Sequence, residues 1–359
     1  MNVVIAAGGT GGHVYPAVAL AEEFCRRDPM TVMTLVRTGK ELEDTMLRET
    51  AFRLETLSVQ GVVGRGRWAS LCALLLVPRA IIQAMHLLRS LCADLVIGTG
   101  GYISPPVVIA AWLLGIHRVL LEPNAVPGVA NRMLGPFAHR TFLSFNAAEP
   151  YFNRSKTRVV GTPLRKEFVT GPPEPASGDI RTILIIGGSQ GARAINTAVI
   201  DALAVSRTLC DHVMLIHQTG DEDYERVHAA YAAAGVQATV SRFLVDMSEV
   251  LHSADLVISR CGALTLAELA ACGKPAILIP FPFAAHRHQE KNARVVEAAG
   301  AAIVLTQDEL SGPRLVQEIE ILMTHPDHVK QMAAQSAALR RTNSAEAMVQ
   351  ECCRLVNGK

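Results

Sequence analysis

The chain has no apolar run long enough to cross a bilayer. Its strongest, Leu71–Ile82 (LCALLLVPRAII), contains Pro78 and Arg79 and falls far short of the ~20 residues a spanning helix needs, so a soluble or peripheral protein is expected. No Cys-x-x-Cys pair occurs among the eight cysteines, and no secretory segment precedes the first apolar run. Reduced cytosolic thiols are therefore expected, not a disulfide frame or a zinc site. A dinucleotide fingerprint is missing as well: counted from Gly9, the third glycine of Gly-x-Gly-x-x-Gly would fall where Val14 stands. Nor is there a Gly-x-x-x-x-Gly-Lys phosphate loop. Charge is nearly balanced, at +1 overall, and no nucleic-acid partner is expected.

What the chain does have is two glycine loops, each directly after an apolar strand-like run. Val3-Val4-Ile5 leads into Ala6-Ala7-Gly8-Gly9-Thr10-Gly11-Gly12-His13, and Ile183–Ile186 leads into Gly187-Gly188-Ser189-Gln190-Gly191-Ala192-Arg193. Glycine lets backbone N–H groups approach a ligand, and a helix start favours negative charge. Two such loops half a chain apart predict two mononucleotide-binding domains facing a shared cleft. The length of 359 residues suits two domains of ~100–200 residues each. The halves differ in charge. Lys and Arg outnumber Asp and Glu in residues 1–160, most strongly in 50–160, and acids outnumber bases in the remainder. The basic half suits either an anionic partner or a merely uneven solvated surface.

Short, near-continuous apolar runs recur at Val3–Ala7, Thr31–Val36, Leu95–Ile97, Val119–Leu121, Ile183–Ile186, Val213–Ile216, Leu256–Ile258 and Ala276–Ile279. Such runs fit strands buried on both faces of a parallel sheet. Alternation with helical stretches gives an α/β, doubly wound fold. The Pro- and Gly-rich seam after Gly161 reads as linker. The expected organisation is an N-terminal domain over 1–162, a linker over 163–178, a C-terminal domain over 179–340 and a tail helix over 341–359. That tail could pack on either half, including by crossing back to the first.

Several motifs carry candidate chemistry. His13, directly after the first glycines, would sit at a helix start beside the C-terminal sheet edge and titrate near neutrality; capping the turn is its bland alternative. Ser259–Glu268 (SRCGALTLAE) forms another strand–turn–helix whose N-terminus could hold a diphosphate, with Glu268 on ribose hydroxyls or on a solvated helix face. Gln289 and Asn292 share a helix face and could read sugar hydroxyls, or be ordinary surface amides. Gly98–Pro106 (GTGGYISPP) is a third glycine loop, either a second phosphate site or a plain turn. Asp221-Glu222-Asp223 resembles a metal motif but is expected to be a solvated acidic cluster at a helix start. No metal and no cofactor are expected.

AGGTGGH, GTGGYISPP, GGSQGARAIN, RCGALTLAELAACGKPAILIPFP and the Gln289/Asn292 pair together resemble the bacterial peptidoglycan N-acetylglucosaminyltransferases, in order and at family spacing from Ala6 to about Ala302. The resemblance implies a GT-B fold of two Rossmann-like domains. It also implies transfer of N-acetylglucosamine from UDP-N-acetylglucosamine to undecaprenyl-diphospho-muramoyl-pentapeptide (lipid I), giving lipid II. By resemblance, Thr10, Gly11 and Gly12 contact the donor's sugar–phosphate side, Asn124 reads the N-acetylglucosamine, and Arg165 and Ser189 attend the diphosphate. The backbone of Leu244 meets uracil. Ala263, Leu264, Thr265, Leu266 and Ala267 line the nucleotide, with Glu268 on ribose and Gln289 on sugar hydroxyls. Two positions depart from the family. Leu121-Glu122-Pro123-Asn124 stands where His-Glu-Gln-Asn is usual, so roles of that histidine or glutamine do not carry over. Thr162 stands where asparagine is common.

The family's reaction is an inverting displacement at C1. It calls for a base at the muramoyl 4-hydroxyl, assigned to His13 with Glu122 as rival, and for positive potential at the departing diphosphate, from the helix start near Gly262–Thr265 and Arg165. Because the acceptor is a lipid, the protein is expected at the cytoplasmic face of the bacterial inner membrane, as a peripheral protein. It would dock on anionic lipid through Arg65, Arg67, Trp68, Leu71, Leu74, Leu75, Leu76, Arg79, Ile82, His86 and Arg89, unless that segment is a buried helix pair. Two alternatives remain open: a UDP-N-acetylglucosamine epimerase on the same fold, and a nucleotide-binding module without catalysis.

Overall fold

The structure, a computed structural model, describes residues 1–47, 50–57, 67–170, 173 and 176–358; the side chains at 41, 42, 45 and 67–77 lie outside that description. The chain divides into two compact units, Met1–Lys166 with Arg341–Lys359, and Glu167–Arg340.

Among the described residues the first unit holds seven strands: β1 (Asn2–Ala6), β2 (Val32–Arg37), β3 (Arg53–Thr56), β4 (Leu95–Gly98), β5 (His117–Glu122), β6 (Arg140–Leu143) and β7 (Thr157–Val159). They form one sheet in the order β3-β2-β1-β4-β5-β6-β7, and every pair is parallel. The apolar runs are continuous because both faces are covered. Val3, Ile5, Leu95, Ile97, Val119 and Leu121 face the helix Gly11–Arg27, while Val4, Ala6, Val96 and Leu120 face Val107, Val108 and Ala111 of the helix Ser104–Leu113. The tail helix Ser344–Asn357 adds Met348, Val349 and Cys352 to the first of these cores. Ser344 Oγ donates to the Val160 carbonyl at 2.7 Å and Arg140 pairs with Glu351 at 2.8 Å, so the tail belongs to this unit.

The second unit holds β8 (Thr182–Ile186), β9 (Met214–Gln218), β10 (Ala238–Ser241), β11 (Leu256–Ser259), β12 (Ala276–Leu278) and β13 (Ala302–Val304). Its sheet, again all parallel, runs β10-β9-β8-β11-β12-β13. Ile183, Ile185, Leu256, Ile258 and Ile277 pack against Ile195, Val199, Leu315 and Ile319 from the helices Arg193–Val205 and Gly312–Thr324. In both sheets the strand order reverses beside the first strand, between β1 and β4 and between β8 and β11. A doubly wound sheet binds ligands at such a reversal, outside the carboxyl ends of the strands.

Five strands went unread in the sequence: β3, β6, β7, β10 and β13. β3, β7, β10 and β13 are the edge strands of their sheets and either carry residues such as Arg53, Glu55, Arg158 and Ser241 or span only three positions, while β6 is an interior strand whose short run opens with Arg140 and Thr141. Within the expected linker 163–178, Lys166–Val169 is helical; positions 171, 172, 174 and 175 lie outside the described residues.

Candidate active site

In the first unit β1 delivers the chain into Gly8–Thr10 and then into the helix Gly11–Arg27. Gly9 has φ +104°, a conformation open to glycine and strained for other residues. Thr10 is the N-cap residue but its side chain does not cap, and the first N–H groups of a helix have no partner within it. Beneath the loop sits Glu43, fully buried. Its carboxylate accepts from Gly9 N–H at 2.6 Å, Thr38 N–H at 2.9 Å, Thr38 Oγ at 2.6 Å and Gly39 N–H at 3.0 Å. Burial pushes this carboxyl up, but the bonds from Thr38, Gly9 and Gly39 outweigh it and hold it below its ordinary value. Glu43 pins the first glycine loop, and no motif in the sequence marked it.

His13 Nδ1 lies 2.8 Å from the Thr99 carbonyl oxygen. A carbonyl only accepts, so Nδ1 carries the proton and the neutral ring keeps its lone pair on Nε2. The third glycine loop is the seat of this ring. A Cβ at Gly100 (φ +104°) would come within 2.9 Å of His13 Cε1, and one at Gly101 (φ +71°) within 3.6 Å of Cδ2. Ser104 Oγ accepts from Gly100 N–H at 2.9 Å and fixes the turn. His13 thus packs on its neighbouring loop in addition to standing at a helix start.

Glu122, at the end of β5, is buried and saturated. It accepts from Asn124 N–H at 2.9 Å, Asn124 Nδ2 at 3.1 Å, Gly128 N–H at 3.1 Å and Asn131 Nδ2 at 3.0 Å. Burial pushes its carboxyl above the ordinary value, opposed by these bonds. Four donors on two oxygens describe a carboxylate that shapes the 122–131 loop and orients Asn124. In that geometry Glu122 holds the loop by four bonds. The Arg165 guanidinium stacks over the Tyr15 ring at 4.5 Å, and Tyr15 itself packs on Gly11, so Arg165 stands at the start of the same helix.

In the second unit the loop 187–192 follows β8. Gly188 and Gly191 have φ +93° and +74°, and Ser189 lies between them, half-buried. A Cβ at Gly191 would overlap the Thr219 carbonyl, so this loop and the 219–220 turn meet backbone to backbone. After β11, Gly262 is the N-cap of the helix Ala263–Cys272, again with no side-chain cap. Leu266 N–H bonds Gly262 O, which leaves the N–H groups of Ala263, Leu264 and Thr265 as the unpaired first turn. Glu268 lies on this helix and is 93% withdrawn from solvent (7% exposed), so a solvated face is excluded. Gln289 Oε1 accepts from Cys261 N–H at 3.2 Å and Phe281 N–H at 3.0 Å, which commits its oxygen and directs its NH₂ as the remaining group. Asn292, read as its partner, is fully buried and donates to the Cys261 carbonyl at 3.4 Å; it shapes the loop.

The acidic triplet is corrected too. Asp221 and Glu222 are exposed, but Asp223 is buried, accepting from Asn196 Nδ2 at 2.9 Å and paired with Arg226 at 2.7 Å. Among the described residues no group of His, Cys, Asp or Glu is arranged to hold a metal ion.

Two doubly wound parallel-sheet units, each with an uncapped helix start beside the point of strand reversal, have the make-up of the GT-B fold class. Residues 3–143 match the glycosyltransferase family 28 N-terminal domain and residues 182–349 its C-terminal domain. A UDP-N-acetylglucosamine–N-acetylmuramyl-(pentapeptide) pyrophosphoryl-undecaprenol N-acetylglucosamine transferase of Syntrophus aciditrophicus is 43% identical over 357 residues, 99% of each chain, and one from Anaeromyxobacter sp. is 42% identical over 99% of this chain and 94% of its own. The chain belongs to this family of N-acetylglucosamine transferases. The crystal structure of Acinetobacter baumannii MurG superposes with a TM-score of 0.77 at 29% identity, covering 100% of this chain and 99% of that one. A UDP-GlcNAc 2-epimerase from Neisseria meningitidis gives 0.68 at 12% identity over 99% and 100% of the two chains, a likeness of fold alone.

Proposed function

We infer that the chain transfers N-acetylglucosamine from UDP-N-acetylglucosamine to N-acetylmuramyl-(pentapeptide) pyrophosphoryl-undecaprenol, as an inverting β-1,4 hexosyltransferase. Near-complete coverage at 43% identity by a relative of that name carries the reading. In the step, the muramoyl 4-hydroxyl oxygen bonds to C1 of the sugar as the C1–O bond to UDP breaks. Its proton goes to His13 Nε2, and the bonding pair leaves with the diphosphate. The hydrogen bond to Thr99 supports this role because it leaves the basic lone pair on Nε2.

The diphosphate is assigned to the N–H groups of Ala263, Leu264 and Thr265, with Ser189 and Arg165. Preorganised donors of this kind cost no reorganisation as charge develops. Thr10, Gly11 and Gly12 serve the sugar–phosphate side, Asn124 the acetamido sugar, and Leu266, Ala267 and Glu268 the nucleoside, with Glu268 on ribose. The NH₂ of Gln289 donates to a sugar hydroxyl, its oxygen being committed to two backbone N–H groups.

Membrane docking is assigned to the first unit. No described helix is long and apolar enough to cross a membrane. The helix Arg67–Ser90 exposes Arg79, Ile82, His86 and Arg89, and its neighbour Ser104–Leu113 exposes Trp112 and Leu113. An apolar surface fringed with cations suits an anionic bilayer. Arg65 and the side chains of Arg67, Trp68, Leu71, Leu74, Leu75 and Leu76 lie outside the described residues.

The deciding assay supplies UDP-N-acetylglucosamine with and without a lipid I analogue. A transferase forms disaccharide only with acceptor. Sugar conversion without acceptor would mean an epimerase, and UDP binding with neither product would mean a nucleotide-binding module.

A further inference from the structure

Tyr15 lies one helical turn after Gly11 on the helix Gly11–Arg27. A helical side chain leans toward the N-terminus of its helix, so a ring at 15 covers residue 11. An added Cβ at Gly11 would stand only 3.2 Å from Cδ2 and Cε2 of that ring. Glycine at 11 therefore lets the ring lie against the helix backbone. The Arg165 guanidinium stands over the same ring, its Cζ 4.5 Å from the centroid.

The stem that carries Arg165 is fixed. Gly161, Thr162, Pro163 and Leu164 are buried, and Thr162 Oγ1 lies 2.7 Å from Ser144 Oγ. Arg165 itself is half-buried, and its long side chain still has several torsions to settle. A ring face settles them, because a guanidinium is flat and stacks on an aromatic surface. Stacking occupies the face of the guanidinium and leaves its in-plane N–H edge for an anion. The stack stands at a helix start. The first intrahelical bonds run from His13 N–H and Val14 N–H to Thr10 O, so the N–H groups of Gly11 and Gly12 have no partner within the helix.

We propose that Tyr15 is a positioning residue for the transfer step: the negative face of its ring holds the Arg165 guanidinium in one pose before the bond to UDP breaks. The inference rests on the reading of Arg165 as a diphosphate residue and names the side chain that orients it. A guanidinium already in place costs no reorganisation as charge develops on the leaving group. Without the ring it must be ordered at that moment. The loss therefore falls on kcat more than on the KM for UDP-N-acetylglucosamine.

The test follows acceptor-dependent transfer by the full chain while the ring keeps its shape and loses its charge. Tyr15→Phe keeps an aromatic face, and kcat should stay within about twofold. Ring-fluorinated phenylalanines at position 15 then drain negative charge from that face. With rising fluorine content kcat should fall stepwise, about three- to tenfold at the end of the series, with the donor KM changed less. The same series in an Arg165→Gln background should leave kcat flat. Urea midpoints along the series check that folding is kept. A ring that only packs would ignore fluorine in both backgrounds, and that result overturns the proposal, as does an equal decline in both. If Arg165→Gln alone leaves kcat unchanged, the diphosphate assignment fails and the proposal falls with it. If Arg165→Gln is slow and fluorine has no effect, only the role of Tyr15 is lost.

Discussion

The Nδ1–H of His13 points at the carbonyl oxygen of Thr99, 2.8 Å away and 86 residues distant in the chain. That bond selects one tautomer of a residue whose other nitrogen is then basic. His13→Ala should lower kcat by ~10²–10⁴ and change the KM for UDP-N-acetylglucosamine far less. The acidic limb of the kcat/KM–pH profile should vanish with the imidazole. Turnover within a few-fold of the unmodified chain, alongside abolition in Glu122→Gln, would reverse the two assignments.

The seat of that ring gives a sharper test. Gly100 has φ +104° and room for no side chain toward His13, whereas Gly115 has φ +72° with nothing within 4 Å of its would-be Cβ. Both alanine variants should lose about 1 kcal/mol of stability to backbone strain. Only Gly100→Ala should also lose kcat, because only there does the methyl displace the imidazole. Denaturant melts and steady-state rates on both variants separate strain from displacement.

Glu122→Gln keeps the shape of the side chain but replaces one acceptor oxygen with an amide NH₂ donor facing N–H groups. Losing charge-assisted bonds and leaving a donor unpaired should cost about 2–3 kcal/mol, read as a shift in urea midpoint. Asn124 should lose its orientation, raising the donor KM. Normal stability with abolished kcat would instead point to a base.

How much of this was visible in the chain depended on whether the cause was local. The central strands and the two glycine loops were legible because burial on both faces writes a continuous apolar run, and a tight turn into a helix writes its glycines beside it. β3 and β10 were not, since a marginal strand such as Arg53–Thr56 keeps polar residues on its wet side. The spacing of Gln289 and Asn292 places them on one helix face, but only the tertiary fold turns Asn292 into the core. Glu43 reaches its loop across 34 residues and stands in no motif, because it acts through a partner that folding supplies.

His217 gives a pH prediction. It is fully buried, its Nε2 3.0 Å from Asn196 Oδ1 and its Nδ1 2.6 Å from Tyr231 Oη. Asn196 donates its NH₂ to Thr219 O and Asp223, so its oxygen faces the ring, Nε2–H donates to it, and Tyr231 O–H donates to Nδ1. A second ring proton has no acceptor. Burial lowers the His217 pKa from 6.5 to about 3, slightly opposed by Asp223. Between those values the unfolded chain binds a proton that the folded one refuses, so this contribution to stability is complete above pH 6.5 and declines as pH falls toward 3. The Tm should drop between pH 7 and pH 4.5, and less steeply in His217→Gln. Equal slopes would show that His217 is not the group refusing the proton.

Docking on the bilayer makes a prediction that separates membrane affinity from chemistry. If Arg79, Ile82 and Trp112 meet anionic lipid, then Arg79→Glu with Ile82→Glu replaces one attraction and one apolar contact with two repulsions. Flotation with phosphatidylglycerol vesicles should fall by at least tenfold. Flotation of the unmodified chain should itself weaken with salt, because charges at a surface are screened within about 10 Å at 0.1 M. Transfer to a soluble, short-chain acceptor should be unchanged, since no residue assigned to the reaction is altered, while transfer to vesicle-borne acceptor should drop with flotation. Binding to vesicles that ignores both substitutions would move the docking surface elsewhere on the chain.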